Sequence, residues 1–288
     1  ACGPCLDGFL GDTGSGNGVC LSASDLVTAQ SSPTTPTNKT CPGDCSDQGV
    51  CGFVDSRTLK PLTTCPSNVI TCSARCTCGG GFSGDACDLS TADMSTTQEV
   101  RSSLIANLLQ LTTEEEPDTE SVVGWVTGAV LLSEKDDEMT IDAAGAVLDI
   151  ATAVISAATT VSASFESVRG VLDVVDSASR AIGIHGGNRS ATMARSRDVL
   201  NGMGTLVMSA MVAGEAPFVS TLASTKLSSQ VSSVTPGGLL QLSVPQSELE
   251  AAYQTPTTTL AVDMGNSSAT QLATTLTESN ASVVVGVW

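Results

Sequence analysis

The chain has 288 residues, of which 12 are Lys or Arg and 30 are Asp or Glu, so its formal net charge is −18. A field of this sign repels phosphates, which argues against a nucleic-acid-binding protein. Hydrophobic residues make up 41% of the chain but aromatic residues only 3%. The length suggests about two domains, and the low aromatic content predicts cores of Ala, Val, Leu and Ile.

The 11 cysteines are confined to the front of the chain, between Cys2 and Cys87. Dense cysteines in a short stretch indicate disulfide bonds and an oxidising compartment. Zinc binding is the alternative, but the only histidine, His185, lies far away and the spacings do not form two C-x2-C pairs. We expect disulfide bonds and no metal site. The odd total leaves at least one cysteine free or paired outside the chain.

The first 20 residues open with Cys2-Gly-Pro-Cys5, which has the C-x-x-C spacing of redox proteins. That motif belongs to a βαβ context, whereas Gly- and Asn-rich sequence follows it here, so we do not expect redox chemistry. Gly11-Asp-Thr-Gly14 has the triplet of aspartic proteases without a second copy, which predicts a glycine turn. Residues 21–40 are rich in Ser, Thr and Pro, as is typical of a linker.

Residues 41–89 carry the most specific motif of the chain. Cys41-Pro-Gly-Asp-Cys45 opens the block, and C-T-C-G-G-G-F-S-G-D-A-C over residues 76–87 closes it. A C-x-C followed by G-F-x-G-x-x-C resembles an epidermal-growth-factor-like (EGF-like) module. A module of this size buries too little apolar surface to fold alone, so disulfide bonds of about 2–4 kcal/mol each would replace a core.

The resemblance implies a disulfide pairing, because EGF-like modules join the first cysteine to the third, the second to the fourth and the fifth to the sixth. Two additional cysteines lie in the long loop between the third and the fourth, and we expect them to staple that loop. The implied pairs are Cys41–Cys51, Cys45–Cys76, Cys78–Cys87 and Cys65–Cys72. Residues 37–40 lack the acidic pair of the calcium-binding variants, so calcium is not expected.

Residues 1–20 resemble the end of another EGF-like module, since G-F-x-G recurs at residues 8–11. By this resemblance Cys5–Cys20 is its last bridge, and Cys2 is unpaired here or has its partner outside the chain. Four sequons support a secreted glycoprotein and predict N-glycans. They lie at Asn38, Asn188, Asn266 and Asn280.

Residues 97–213 have the apolar spacing of a helical bundle. Five stripes are expected to form its helix contacts, the third and fourth on either one helix or two. They are Val100, Leu104, Leu108 and Leu111; Val122, Val123, Val126, Val130 and Leu131; Ile141, Val147, Leu148, Val154 and Ile155; Phe165, Val168, Leu172 and Val175; and Val199, Leu200, Met203, Leu206, Val207 and Met211. The best uncharged stretches, residues 150–165 and 199–214, are shorter than the ~20 residues of a membrane span, so no span is expected.

From residue 216 onward, short alternating runs separated by turn residues predict a partial antiparallel β-sandwich. The runs cover residues 219–222, 227–234, 239–244, 258–262 and 282–288. The helices are followed by G-E-x-P at residues 214–217 and then by strands. This order resembles the GAIN region of polycystin-like and adhesion receptors. By this resemblance residues 97–213 would correspond to its subdomain A and residues 216–288 to its subdomain B. The chain lacks the Cys and Trp pairs of the GAIN cleavage site, so self-cleavage is not predicted.

No residue pattern indicates catalysis or a cofactor. A catalytic triad would need His185, and the adjacent Gly186-Gly187 predicts an exposed turn. The acidic runs at residues 114–116 and 136–138 would be either loose calcium sites or solvated first turns of helices, and we expect the latter.

The combined expectation is a multidomain, non-enzymatic extracellular segment of a polycystin-like cell-surface receptor or of a ciliary or flagellar surface protein. It would act in adhesion, display or assembly with protein partners at the cell surface. The alternative is a structural subunit of an extracellular filament such as a flagellar hair. In that case Cys2 would pair between chains, and the strands ending at Trp288 would complete a neighbour's sheet.

Overall fold

The computed structural model describes residues 9–10, 20–22, 25, 37–55, 60–69, 72–185, 189–212, 215–222, 225–231, 239–243, 246, 259–263 and 282–287. This part of the chain contains a disulfide-rich N-terminal region, several helices and small antiparallel sheets. Its residues up to Thr97 belong to one compact unit, and those from Gln98 onward belong to a second.

The first unit is built from short antiparallel strands. Strand β3 is the centre of a three-stranded sheet with order β4-β3-β5, while β1 pairs with β2 and β6 pairs with β7. The strands are β1 (Phe9–Leu10), β2 (Leu21–Ser22), β3 (Gly49–Asp55), β4 (Pro61–Leu62), β5 (Cys72–Cys78), β6 (Phe82–Ser83) and β7 (Leu89–Ser90). Both ends of the stretch expected as a linker are therefore structured, because β2 lies in it and residue 38 forms a bridge with residue 66.

Half-cystines form the small core of this unit. Cys41, Cys45 and Cys87 are buried together, and the ring of Phe82 packs against them. A unit of this size has little other apolar surface to bury, so the disulfide bonds supply the stability of its fold.

One turn of this unit has an unusual backbone. Five consecutive residues of the turn Pro42–Asp47 have φ angles between 49° and 56°, and only the first of them, Gly43, is glycine. Left-handed backbone costs roughly 1–2 kcal/mol for each residue with a Cβ. The turn persists because the Cys41–Cys51 and Cys45–Cys76 bonds hold both its start and its middle.

The second unit contains the helices, and the division between the units falls inside the first of them. The helices are α1 (Thr91–Glu114), α2 (Thr119–Ser133), α3 (Ile141–Thr160), α4 (Phe165–Val168), α5 (Val171–His185) and α6 (Arg189–Ser209). Asp118, Thr140 and Ser164 cap α2, α3 and α4, since each side chain accepts a hydrogen bond from a backbone N–H three residues later. Helix α1 begins at Thr91 rather than at residue 97 because Ser90 accepts the backbone N–H of Asp93 at 3.1 Å.

Helix α3 is the centre of the bundle and contacts α2, α5 and α6. Small aliphatic side chains form its buried face, as the composition predicts: Ala143, Ala144, Val147, Leu148, Ile150, Ala151, Val154, Ala157 and Ala158. Among the described residues, α3 is also the helix that is long and apolar enough to cross a membrane. More than half of that apolar stretch is buried inside the protein, which is the position of a core helix.

Several stripe residues expected in the bundle contacts are exposed instead. Val100, Leu104 and Leu111 are 56%, 48% and 45% exposed, whereas Ile105 of the same helix is fully buried. The reason is that α1 has two overlapping apolar rows, and only the row through Ile105 and Leu108 faces the core. Other exposed members of the expected stripes are Val123, Leu131 and Ile141.

The structure also separates the third stripe from the fourth. Helix α3 ends at Thr160, and Ser162 has a φ of 55°, so the chain turns before α4. After α4, Gly170 allows α5 to start close to α2: a Cβ there would lie 2.9 Å from methyl groups of both Val126 and Val130.

Each of the five runs that predict strands overlaps an observed strand. They are β8 (Phe218–Thr221), β9 (Lys226–Val231), β10 (Leu239–Ser243), β11 (Thr259–Asp263) and β12 (Ser282–Val287). All pair antiparallel, in a three-stranded sheet with order β12-β9-β8 and a two-stranded β10-β11 sheet. The larger sheet shares the core of the bundle: Leu227 is buried among the helix residues, and the rings of Phe165 and Phe218 pack edge to face at 4.8 Å.

Candidate functional site

Four disulfide bonds lie between Cys41 and Cys87 in the first unit. Their Cα–Cα distances lie between 5.3 and 5.7 Å, in the usual range. They join the pairs that the sequence resemblance implies: Cys41–Cys51, Cys45–Cys76, Cys65–Cys72 and Cys78–Cys87. Cys20 is also disulfide-bonded. Cys2 and Cys5 lie outside the described residues.

The alternative of a metal centre has a structural test. The sulfurs of Cys41, Cys45 and Cys76 lie within 4.8 Å of one another, which is a spacing that a metal ion could use. All three sulfurs already belong to disulfide bonds, Cys41–Cys51 and Cys45–Cys76. The sulfurs are close together because these two bonds pack side by side. A metal needs thiolates, so this cluster is a disulfide core. The nine described cysteines are all oxidised, so none of them supplies a thiolate nucleophile either.

The predicted glycosylation site at Asn38 lies in a well-held segment. The backbone N–H of Lys39 donates to the carbonyl of Cys65 at 2.7 Å, and the N–H of Ser67 donates to the carbonyl of Thr37 at 2.9 Å. Asn38 is exposed, and its Oδ1 accepts the N–H of Cys65 at 3.2 Å. This contact uses the oxygen and not the Nδ2 atom to which a glycan is attached. Asn188, Asn266 and Asn280 lie outside the described residues.

Lys39, inside the same sequon, is one of the few buried charged residues. Only 3% of it is exposed, and its Nζ donates to the carbonyl of Cys72 at 2.8 Å. The ammonium group therefore ties the segment before Cys41 to the loop that Cys65–Cys72 staples. A buried lysine needs such acceptors because its charge has left water.

The acidic run at residues 136–138 joins elements of the second unit. Asp136 accepts the Nε of Arg180 at 2.7 Å, and Arg180 also pairs with the buried Asp176. Arg101 pairs with Glu138 and donates to the carbonyl of Leu132 at 2.8 Å. Two of the three carboxylates in the run are thus neutralised by guanidinium groups. These pairs make the run a connection between helices, and they disfavour a calcium site.

The acidic run at residues 114–116 is also placed differently from the expectation. It lies at the end of α1 and not in the first turn of a helix. Glu115 accepts the indole N–H of Trp125 at 2.9 Å, and Glu114 accepts the side-chain amide of Gln110 at 2.6 Å. A carboxylate at a helix C-terminus is unfavourable for the helix dipole, and the bond to the buried Trp125 offsets that cost.

Two carboxyl groups in the described part of the chain have shifted pKa values. Hydrogen bonds from the backbone and the hydroxyl of Ser121 lower the pKa of Asp118, which caps α2. Burial raises the pKa of Asp173, and the nearby Asp176 raises it further. Asp173 lies on α5 near Asp176 and Arg180, so the shift of its pKa follows from the packing of these charged side chains.

His185 is the last residue of α5, and the exposed turn was expected directly after it. Gly186 and Gly187 lie outside the described residues. The residues that sequence reasoning missed are Arg101 and Arg180, which lie 37 and 44 positions from their carboxylate partners. No local spacing links them to the acidic run.

Comparisons of the chain with protein-family models, with curated proteins and with solved structures find no match.

Proposed function

We propose that the chain is a non-enzymatic extracellular segment of a polycystin-like cell-surface receptor or of a ciliary or flagellar surface protein. Its role would be adhesion, display or assembly through its surfaces. The observation that carries this proposal is the set of four disulfide bonds between Cys41 and Cys87, since they join the pairs that the resemblance to an EGF-like module implies. Small disulfide-dense modules are typical of oxidising compartments and cell surfaces.

The second unit supports the same proposal through the order of its elements. A helical bundle is followed by short antiparallel strands, as in the GAIN region that the sequence resembles. A fold does not by itself specify a function, so this support is an analogy of architecture. The exposed sequon at Asn38 fits a glycoprotein of the same compartment.

The filament alternative makes a different use of the last strand. A filament subunit would donate it to a neighbour, whereas β12 pairs with β9 of its own chain over six residue pairs, from Ser282↔Val231 to Val287↔Lys226. An occupied pairing edge favours the receptor segment over the strand donor. Sedimentation of the purified chain separates the two, because a filament subunit forms concentration-dependent polymers and a receptor segment does not.

The test of the proposed function uses the whole chain secreted from eukaryotic cells, with a cytosolic preparation as the matched control. Maleimide labelling after denaturation should leave the nine oxidised cysteines of the secreted protein unmodified. The fluorescently labelled secreted chain should bind intact cells saturably, and reduction with alkylation should abolish that binding. A folded secreted chain with reduced cysteines, or cell binding that survives reduction, would contradict the proposal.

A further inference from the structure

The outer side of the α1–α2 pair carries apolar side chains that the core does not use. Val100, Leu104 and Leu111 recur on α1 at intervals of four and seven residues, so they lie on one face. They are 56%, 48% and 45% exposed, and Leu131 of α2 is 63% exposed. These four residues are called the outer stripe below.

The contacts between the helices place the outer stripe on one surface. A Cβ on Gly128 would lie 3.2 Å from a methyl group of Leu108, so the helices touch there, and the Arg101 bond to the Leu132 carbonyl makes the pair antiparallel. Leu104 precedes Leu108 by one turn, and Leu131 follows Gly128 by about one turn. In an antiparallel pair both displacements run the same way, so Leu104 and Leu131 lie at one level.

The surface between the two helices is also open. Gly124 lies one turn before Gly128 on α2, and a Cβ added to it would meet no atom within 4 Å. The outer stripe and Gly124 therefore form a shallow apolar groove. From residue 100 to residue 111 it extends for about 16 Å, the length of three helical turns.

The segment that contains most of the groove, between Arg101 and Lys135, carries charge of one sign. No Lys or Arg occurs between Arg101 and Lys135, whereas that segment holds six carboxylates: Glu114, Glu115, Glu116, Asp118, Glu120 and Glu134. Arg101 itself is paired with Glu138. A partner that covers the groove must therefore bring apolar side chains and positive charge together.

The size of the groove selects among the possible occupants. Four aliphatic side chains that are about half exposed offer on the order of 200 Å² of apolar surface. A stable interface between two copies needs about 800 Å² from each partner, and two chains with a charge of −18 repel each other. An anionic membrane surface is repelled for the same reason. One amphipathic helix of about three turns matches both the area and the charge.

We propose that the groove between α1 and α2 is a docking site for a basic amphipathic helix of a partner protein. Leucine-like side chains of the partner would pack against the outer stripe, and its Lys or Arg residues would face the carboxylates of residues 114–120. This inference rests on the proposed role in binding and names one surface for it.

The test uses the full disulfide-bonded chain and a labelled synthetic helix of 16 to 18 residues (about 25 Å), with Leu at every third or fourth position and Lys on both flanks. Fluorescence anisotropy should show saturable binding that weakens as salt rises. A peptide of the same composition in scrambled order is the first control. Saturable binding of the scrambled peptide with equal affinity would overturn the proposal, as would no binding of the designed one.

Two variants locate the site. Leu104→Ser combined with Leu131→Ser should weaken binding at least about tenfold, a change that corresponds to ~1.4 kcal/mol. Gly124→Leu should do the same by filling the groove, without loss of fold, because it replaces a helical glycine above open space. Val212→Ser is the matched control, since Val212 is 72% exposed elsewhere in the unit and its loss should leave affinity unchanged.

Three further results would refute this surface. They are equal affinity for all variants, a dimer that the Leu104→Ser change dissociates, and protection of the α1 face by another segment of the chain in hydrogen exchange. Failure here is distinguishable from failure of the proposed function. Cell binding that persists in the double variant would leave the proposed function standing and reject the groove.

Discussion

Replacing Arg180 with methionine should destabilise the second unit, because its guanidinium group neutralises a buried carboxylate. The guanidinium group contacts Asp136 at 2.7 Å, the hydroxyl of Ser177 at 3.1 Å and Asp176. The Asp176 side chain is only 5% exposed, so the variant leaves its charge buried without this guanidinium group. Breaking a buried ion pair from one side costs about 3–5 kcal/mol. Because Arg180 is itself 35% exposed, water screens part of this loss, and we expect about 2–4 kcal/mol.

The assay is urea unfolding of the oxidised chain, followed by the fluorescence of the buried Trp125 in a Trp288→Phe background. Arg180→Met should lower the unfolding midpoint with little change in slope. Adding Asp176→Asn should restore part of the loss, because it removes the buried charge. Arg195→Met is the matched control: its pair with Asp149 is 3.4 Å long and about half exposed on both sides, so we expect under ~0.5 kcal/mol. Equal effects of Arg180→Met and the control would refute the reasoning.

Three other perturbations test the packing, the disulfide unit and the helix cap. Gly170→Ala should destabilise the bundle by about 1–3 kcal/mol, because the added methyl group would lie 2.9 Å from two valine methyl groups. Gly183→Ala is the control: the space around its Cβ is open, so this variant should stabilise the helix slightly. Thermal unfolding measures both variants. Gly49→Ala should lower the yield of correctly paired disulfides, since its Cβ would lie 2.7 Å from a disulfide sulfur. Gly80→Ala should leave the yield unchanged, because no atom lies within 4 Å of its Cβ. Peptide mapping without reductant measures the pairing in both variants. The lowered pKa of Asp118 means that its charge stabilises the fold above the pKa of the unfolded chain, and that this contribution disappears as pH falls through the folded pKa. Asp118→Asn should therefore flatten the acid side of the stability profile.

Each of these predictions has an outcome that contradicts it. Equal melting temperatures for the two helix-region alanine variants would mean that α5 is free to move away from α2. Native disulfide pairing in both variants of the first unit would show that β3 can shift relative to the sulfurs. An unchanged acid profile in Asp118→Asn would assign the acid loss to other carboxylates.

Local patterns predicted the parts of the structure that depend on short sequence separations. The resemblance of the cysteine motif to an EGF-like module implied the four pairs between Cys41 and Cys87, and alternating residues predicted the five described strands of the second unit. The strands are set by residues close together in the chain, so one sequence contains enough information to find them.

What the patterns missed depends on distant neighbours. On α1 the row through Leu104 and the row through Ile105 are both apolar, and only the packing of α2 and α3 decides which one is buried. The pairing of Arg180 with Asp136 spans 44 positions and has no local signature. The expectation that residues 114–116 start a helix was wrong for a similar reason, because Glu115 is held by Trp125 from the following helix.

The pairing of β12 with β9 has a consequence for biosynthesis. The ribosome makes β12 more than 50 residues after β9, so β9 waits with one edge unpaired while the intervening segment emerges. An unpaired edge is where nascent chains aggregate, and β9 presents Lys226 at one end of the strand that waits. A premature stop before residue 282 would therefore leave a product that chaperones retain, even though every helix of the bundle had already been translated.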